Sequence, residues 1–142
     1  MLKLSLNIDV DDLDQGVAFY DGALGLAPVR RLGDFAVELA NAQVPVYLLL
    51  KPSSSPPFRG ASLSRRYDRH WTPVHVDFVV DDIAPALARA VNAGARAESE
   101  IETYDWGRLA LLADPFGNGF CLIALDGAGY DAIARPYGAA GG

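Results

Sequence analysis

At 142 residues, with 51% apolar and 21% charged side chains, the chain has the size and hydrophobic content of one ordinary folded domain. Its formal charge of −6 argues against a nucleic-acid face, and it holds no apolar run of the roughly 18 residues that a membrane span needs. The opening MLKLSLNIDVDD turns acidic too early for a secretory signal, and Cys121, the only cysteine, has no internal partner, so a cytoplasmic protein is expected.

Leu4, Leu6, Ile8 and Val10 alternate with Ser5, Asn7, Asp9 and Asp11, the period of a strand with one apolar and one polar face. Asp12 follows as an N-cap able to accept from free backbone N–H groups, and Leu13, Val17, Tyr20 and Leu24 form one helical stripe that ends at Gly25. Extended stretches are then expected over 28–32, 34–41 and 43–50, turning at Gly33-Asp34 and Asn41. The next segment, 52–73, is rich in Pro, Ser and Arg and reads as a connector long enough to be mobile or functional. Around it Lys51, Arg59, Arg65, Arg66 and Arg69 face only Asp68. They either pair with carboxylates nearby or form a basic mouth that steers an anion.

The pattern then begins again. Val-Asp-Asp recurs at 80–82 as at 10–12, preceded by Val74, Val76, Phe78 and Val80 alternating with His75, Asp77, Val79 and Asp81. Asp82 is the matching cap, Ile83, Leu87, Ala90 and Val91 the matching stripe, and Gly94 the matching stop, with Pro85 tolerable because it falls in the first turn. Strands are expected over 96–103, 107–113 and 119–125, turning near Asp105-Trp106-Gly107 and at Asp114-Pro115-Phe116-Gly117-Asn118-Gly119. A short helical turn over Tyr130–Ala134 is expected in the tail, which then frays.

The fold class is therefore α+β, with two tandem βαβββ modules forming a curved mixed sheet around a cleft. Module one spans 1–51, the connector 52–73 and module two 74–127, together a single domain, and 128–142 is a C-terminal tail. Each first strand should pack its apolar face on its own helix and turn Ser5, Asn7 and Asp9, or His75, Asp77 and Val79, toward a shared interior. There, burial would favour a neutral His75 unless a carboxylate such as Asp77 or Asp9 is near. Its role is either a hydrogen-bonded structural or ligand contact or acid–base work. Trp71 and Trp106, with Tyr47, Tyr67 and Tyr104, are aromatic candidates for stacking on a flat or cationic ligand, or for ordinary packing. His70 reads as a surface residue.

Asp12-Leu13-Asp14, Ala18-Phe19-Tyr20, Leu24-Gly25-Leu26 and Asp114-Pro115-Phe116-Gly117-Asn118, in this order across residues 4–125, resemble the vicinal oxygen chelate superfamily, which includes glyoxalase I, extradiol dioxygenases and fosfomycin and bleomycin resistance proteins. The resemblance implies a metal held by a His in the first strand and a Glu in the last strand of each half. Here those positions fall on Ser5, on Tyr47 or Leu49, on His75 and on Cys121. One ligand in four keeps its usual chemistry, so neither a metal nor any other cofactor is expected, although Asp77 or Asp9 could be recruited to a shifted site. Cys121, placed by the resemblance across from His75, is either a small buried hydrophobe or a thiolate nucleophile.

The first functional expectation is a small-molecule binding protein of the bleomycin resistance type, with Ser5, Asn7, Asp9, Tyr47, Leu49, Trp71, Asp77, Tyr104 and Trp106 about an aromatic-lined cleft and a preference for cationic ligands. The alternatives are a metal-dependent or metal-free lyase or dioxygenase using His75, with Cys121 as a second catalytic candidate, and a non-catalytic scaffold dimer. Small members of the superfamily usually pair, and short strands leave sheet edges to cover, so a homodimer is the expected partner state, with no nucleic-acid or membrane partner.

Overall fold

A computed structural model describes residues 1–139. In module one, β1 (Leu6–Val10), α1 (Leu13–Leu24), β2 (Pro28–Leu32), β3 (Ala36–Leu39) and β4 (Val46–Leu50) form a sheet of order β1-β4-β3-β2. In module two, β5 (Val76–Val79), α2 (Ile83–Ala93), β6 (Arg96–Ala97), β7 (Glu102–Tyr104), β8 (Gly107–Ala113) and β9 (Gly119–Leu125) form a sheet of order β5-β9-β8-β6, with β7 also on β8. Each sheet is mixed, because β1 runs parallel to β4 and β5 parallel to β9 while the other pairs are antiparallel. The first strand of each module is thus left at a sheet edge.

The two helix starts are not equivalent. Asp12 accepts from Gln15 N at 2.9 Å, as its sequence position predicts, but Asp82 makes no side-chain cap bond. Pro85 occupies in α2 the position of Gln15 in α1 and has no N–H to donate. Both helices stop at glycines with positive φ, 68° at Gly25 and 119° at Gly94, a conformation that a Cβ disfavours.

A second difference from the sequence pattern lies over 96–103, where one expected strand is two short ones. Glu98 N donates to Leu111 O, but Leu111 N turns to the Ser99 hydroxyl at 2.9 Å, so a side chain replaces the backbone rung and the ladder breaks. In the tail the helical turn expected over Tyr130–Ala134 is a 3-10 turn over Gly129–Ala132; of the segment after it, expected to fray, 140–142 lie outside the described residues. Among the described residues no helix is long and apolar enough to cross a membrane.

The modules pack on each other within one chain. Val10, Val46 and Leu48 of the first sheet and Leu112 and Leu122 of the second are almost wholly buried. Phe19 on α1 meets Phe120 on β9 edge-on at 6.3 Å, and Phe120 meets Phe78 on β5 at 5.7 Å. Arg89 on α2 donates to the Ala23 carbonyl on α1 at 3.2 Å. The deepest polar link is Tyr20 OH donating to Asp114 at 2.5 Å, with both residues buried. The same carboxylate accepts from Phe116 N (2.8 Å), Asn118 N (2.9 Å) and Asn118 Nδ2 (2.9 Å), so it has four donors. Burial, reinforced by the Asp114 charge and this hydrogen bond, pushes the Tyr20 phenol well above its ordinary range and keeps it a donor.

Tyr20→Phe should therefore lower stability by about 1–3 kcal/mol, read as a lower urea midpoint with unchanged slope. Because the Tyr20 phenol titrates higher folded than unfolded, its contribution is fully present below its ordinary pKa near 10 and is lost as pH rises beyond that value. The stability gap between wild type and Tyr20→Phe should accordingly narrow in strongly alkaline solution.

Candidate functional site

Two cavities, of about 390 and 400 Å³, share Thr72, His75, Gly119 and Phe120. The first opens between the edge strands, with Asn7 and Asp9 from β1 and Val76 and Phe78 from β5, below His70 and the Gly117–Gly119 turn. The second lies on the β8–β9 face, walled by Leu109 and Leu111 with Trp71 from the connector, and ends on His75, Cys121, Arg69 and Glu98. His75 stands just before β5, at a sheet edge, and its side chain is 57% exposed rather than buried as the strand alternation predicts.

Asp77 is the organising group beside it. Its carboxylate lies 3.2 Å from His75 Nδ1, and it is the register partner of Cys121 across the parallel β5–β9 pair. One ligating atom from each of His75, Asp77 and Cys121 falls within 4.8 Å of the others. Burial pushes the Cys121 thiol up to about 11, aided by its hydrogen bond to Asp77 and that residue's charge. The sulfur is thus held as a protonated donor, the opposite of the imidazolium-stabilised thiolate that nucleophilic work needs.

The remaining expected residues are spread more widely. Ser5 is exposed and precedes β1. Tyr47 and Leu49 are half-buried on β4, in register with Asn7 and Asp9. Asp9 is tied to Arg65 Nε at 2.9 Å, and Arg69 to Glu98 at 3.0 Å, so these connector arginines are paired with carboxylates. Trp106 stacks on Tyr104 at 5.1 Å and 3° and meets Tyr130 at 5.2 Å, an aromatic group at the β7–β8 hairpin that pins the C-terminal turn. Of the two tryptophans, it is Trp71 that lines a cavity with His75.

His70, exposed as the sequence suggests, also lines the first cavity, as do Tyr20 and Asn118 from the motifs that carry the resemblance and Thr72, none of which the sequence pattern assigned to a ligand. The signal that could have exposed the connector residues is Gly119, a glycine opening a strand, which marks close approach by another part of the chain.

The four positions that the superfamily resemblance assigns to a metal do not fit a hard divalent ion. Ser5 is a neutral alcohol outside the strand, Tyr47 and Leu49 supply no carboxylate, and Cys121 offers a soft sulfur where a hard ion takes a carboxylate. Asp77 adds one carboxylate beside the His75 imidazole and the Cys121 sulfur, a mixed set of three atoms within 4.8 Å that is not the two-His, two-Glu set the resemblance implies.

A family model described as a glyoxalase-like domain matches residues 5–123. An uncharacterized protein of Mycobacterium bovis is 28% identical over 122 residues, 84% of this chain and 80% of that protein. Among solved structures, a glyoxalase-related enzyme from Fulvimarina pelagi superposes with a TM-score of 0.67 at 17% identity, covering 87% of each chain. A genomically encoded fosfomycin resistance protein from Listeria monocytogenes gives 0.66 at 16% identity, covering 89% of this chain and 96% of its own. At these identities the structural likeness establishes the shared fold.

Cys121 should react slowly with iodoacetamide at neutral pH, the rate climbing toward pH 11 as the thiolate forms. Asp77→Asn removes the neighbouring charge and should shift that rate profile to lower pH. An unshifted profile would mean that Asp77 does not hold the thiol proton.

Proposed function

Because this chain belongs to the glyoxalase-like domain family, within the vicinal oxygen chelate superfamily, we propose that it binds a small organic molecule in the cleft at His75 and does so without a catalytic metal. What carries this reading is a ligand-sized hollow of about 400 Å³ with an apolar wall of Trp71, Leu109 and Leu111 and a polar end at His75. A flat or apolar body packs on that wall, and its polar group meets the imidazole. The overall charge of −6 favours a cationic ligand, and the pairing of Arg65 and Arg69 with carboxylates offsets the connector's local positive charge.

A second reading, metal-free proton transfer, is favoured by one observation. Asp77 accepting from Nδ1–H would fix the His75 tautomer and leave Nε2 as a base facing the ligand, the arrangement that general-base work requires. Under either reading the protein pairs with a second copy of itself, a proposal supported by exposed Val79 and Leu111 and by the sheet edges at β1 and β5.

Protein purified without a metal-affinity tag should carry a small organic molecule in native mass spectrometry. Calorimetric titration with Zn²⁺, Mn²⁺, Ni²⁺ and Fe²⁺ near pH 7.5 should show no tight one-to-one binding. Tight binding that disappears in His75→Ala would overturn the metal-free reading and favour a metal enzyme. Light scattering should give about twice the chain mass, and a concentration-independent monomer would defeat the dimer.

A further inference from the structure

The connector crosses from the first sheet to the second under three pins. Arg65 is held by Asp9 at 2.9 Å and also donates to the carbonyls of Pro56 and Pro57. Tyr67 OH donates to the Lys51 carbonyl at 2.6 Å, while its ring meets Phe116 edge-on at 6.3 Å. The third pin is Arg69. Its Nε lies 3.0 and 3.1 Å from the two Glu98 oxygens, one terminal nitrogen lies 3.0 Å from Glu98, and the other donates to the His70 carbonyl. Arg96 holds the same carboxylate at 3.1 Å.

Two glycines in the Asp114–Gly119 turn make room for this crossing. A Cβ on Gly117 would stand 2.6 Å from the Asp68 carbonyl carbon. On Gly119 it would stand 2.5 Å from a terminal nitrogen of Arg69 and 2.7 Å from Cζ. Gly119 has no left-handed φ, so its backbone suits any residue; a side chain there would displace the guanidinium, the far end of a flexible arginine. The Arg69 and Glu98 side chains are only 31% and 22% exposed, so solvent screens this pair less than a fully exposed one.

We propose that Arg69 is the positioning residue of the cleft: clamped between Glu98 and the bare backbone of Gly119, it fixes His70, Trp71 and Thr72 as the walls of the two cavities. The clamp acts through the connector, since each guanidinium nitrogen is already engaged by protein. This inference rests on the ligand-binding reading for its purpose alone, because wall positioning is measurable with no ligand present.

The experiment uses the full chain with Trp106→Phe, so that Trp71 is the one tryptophan, and reads its fluorescence anisotropy together with amide hydrogen exchange. Arg69→Ala should lower the anisotropy and speed exchange over residues 68–72 roughly tenfold, the scale of a charge-assisted hydrogen bond, while β8 and β9 keep wild-type protection. Gly119→Ala should reproduce both changes by evicting the guanidinium. Combined with Arg69→Ala it should add nothing further, because the added methyl then has room. Arg69→Lys should rescue only partly, because an ammonium cannot form the fork. Unchanged anisotropy in Arg69→Ala, additive effects in the double variant, or loosening that spreads through β8 and β9 would each overturn the proposal. Failure to find any ligand in native mass spectrometry would count against the ligand-binding reading and leave these readouts unaffected.

Discussion

The joint between the modules rests on a buried carboxylate that must be satisfied. Asp114 is the one charged side chain among the described residues that is buried, and three of its four donors come from its own turn. The fourth, Tyr20, comes from the other module's helix. An unsatisfied carboxylate in that position is costly, so the turn and the helix can settle together in few other ways. Phe19, the neighbour of Tyr20, then meets Phe120 just beyond the turn, and the apolar and polar contacts fix the same approach.

That approach brings β1 and β5, each an edge strand of its own sheet, to opposite sides of one cavity. The connector uses the same turn from its other side, laying Asp68 and Arg69 against Gly117 and Gly119. Residues 114–119 therefore join the modules through a carboxylate and leave room for Asp68 and Arg69 of the connector at two glycines.

The two modules share a backbone plan but not a chemistry. The segment leading into and along β5 that carries His75 and Asp77 has Ser5 and Asn7 at the corresponding places in module one. The acid that module one does present, Asp9, is neutralised by Arg65, whereas Asp77 is left to organise an imidazole and a thiol. The clustered imidazole, carboxylate and thiol thus belong to module two, and module one lines the opposite side of the first cavity. Pro85 shows the same divergence in the helices, since it removes the cap bond that Asp12 keeps.

Much of this was legible along the chain. Period-2 and period-3.6 alternation, the repeated Val-Asp-Asp and the stop glycines specify both βαβββ units, because strand faces and helix stripes are set by residues close together in sequence. The nearness of Asp77 to His75 follows from the same local periodicity, whereas Asn7 and Val79, expected to face inward, are exposed. What local pattern could not settle was which chemistry meets across the fold. The pairing of Arg69 with Glu98, of Arg65 with Asp9 and of Tyr20 with Asp114 joins residues 29, 56 and 94 positions apart. The break over 96–103 likewise depends on Ser99 reaching Leu111, and Tyr104 and Trp106, expected in the cleft from their places beside the strands, stack on each other away from both cavities. The sequence by itself determined the two modules and the polar faces of their first strands, whereas only the tertiary structure decided which charges are neutralised and which aromatics line the cleft, because those depend on distances between segments that no local periodicity encodes.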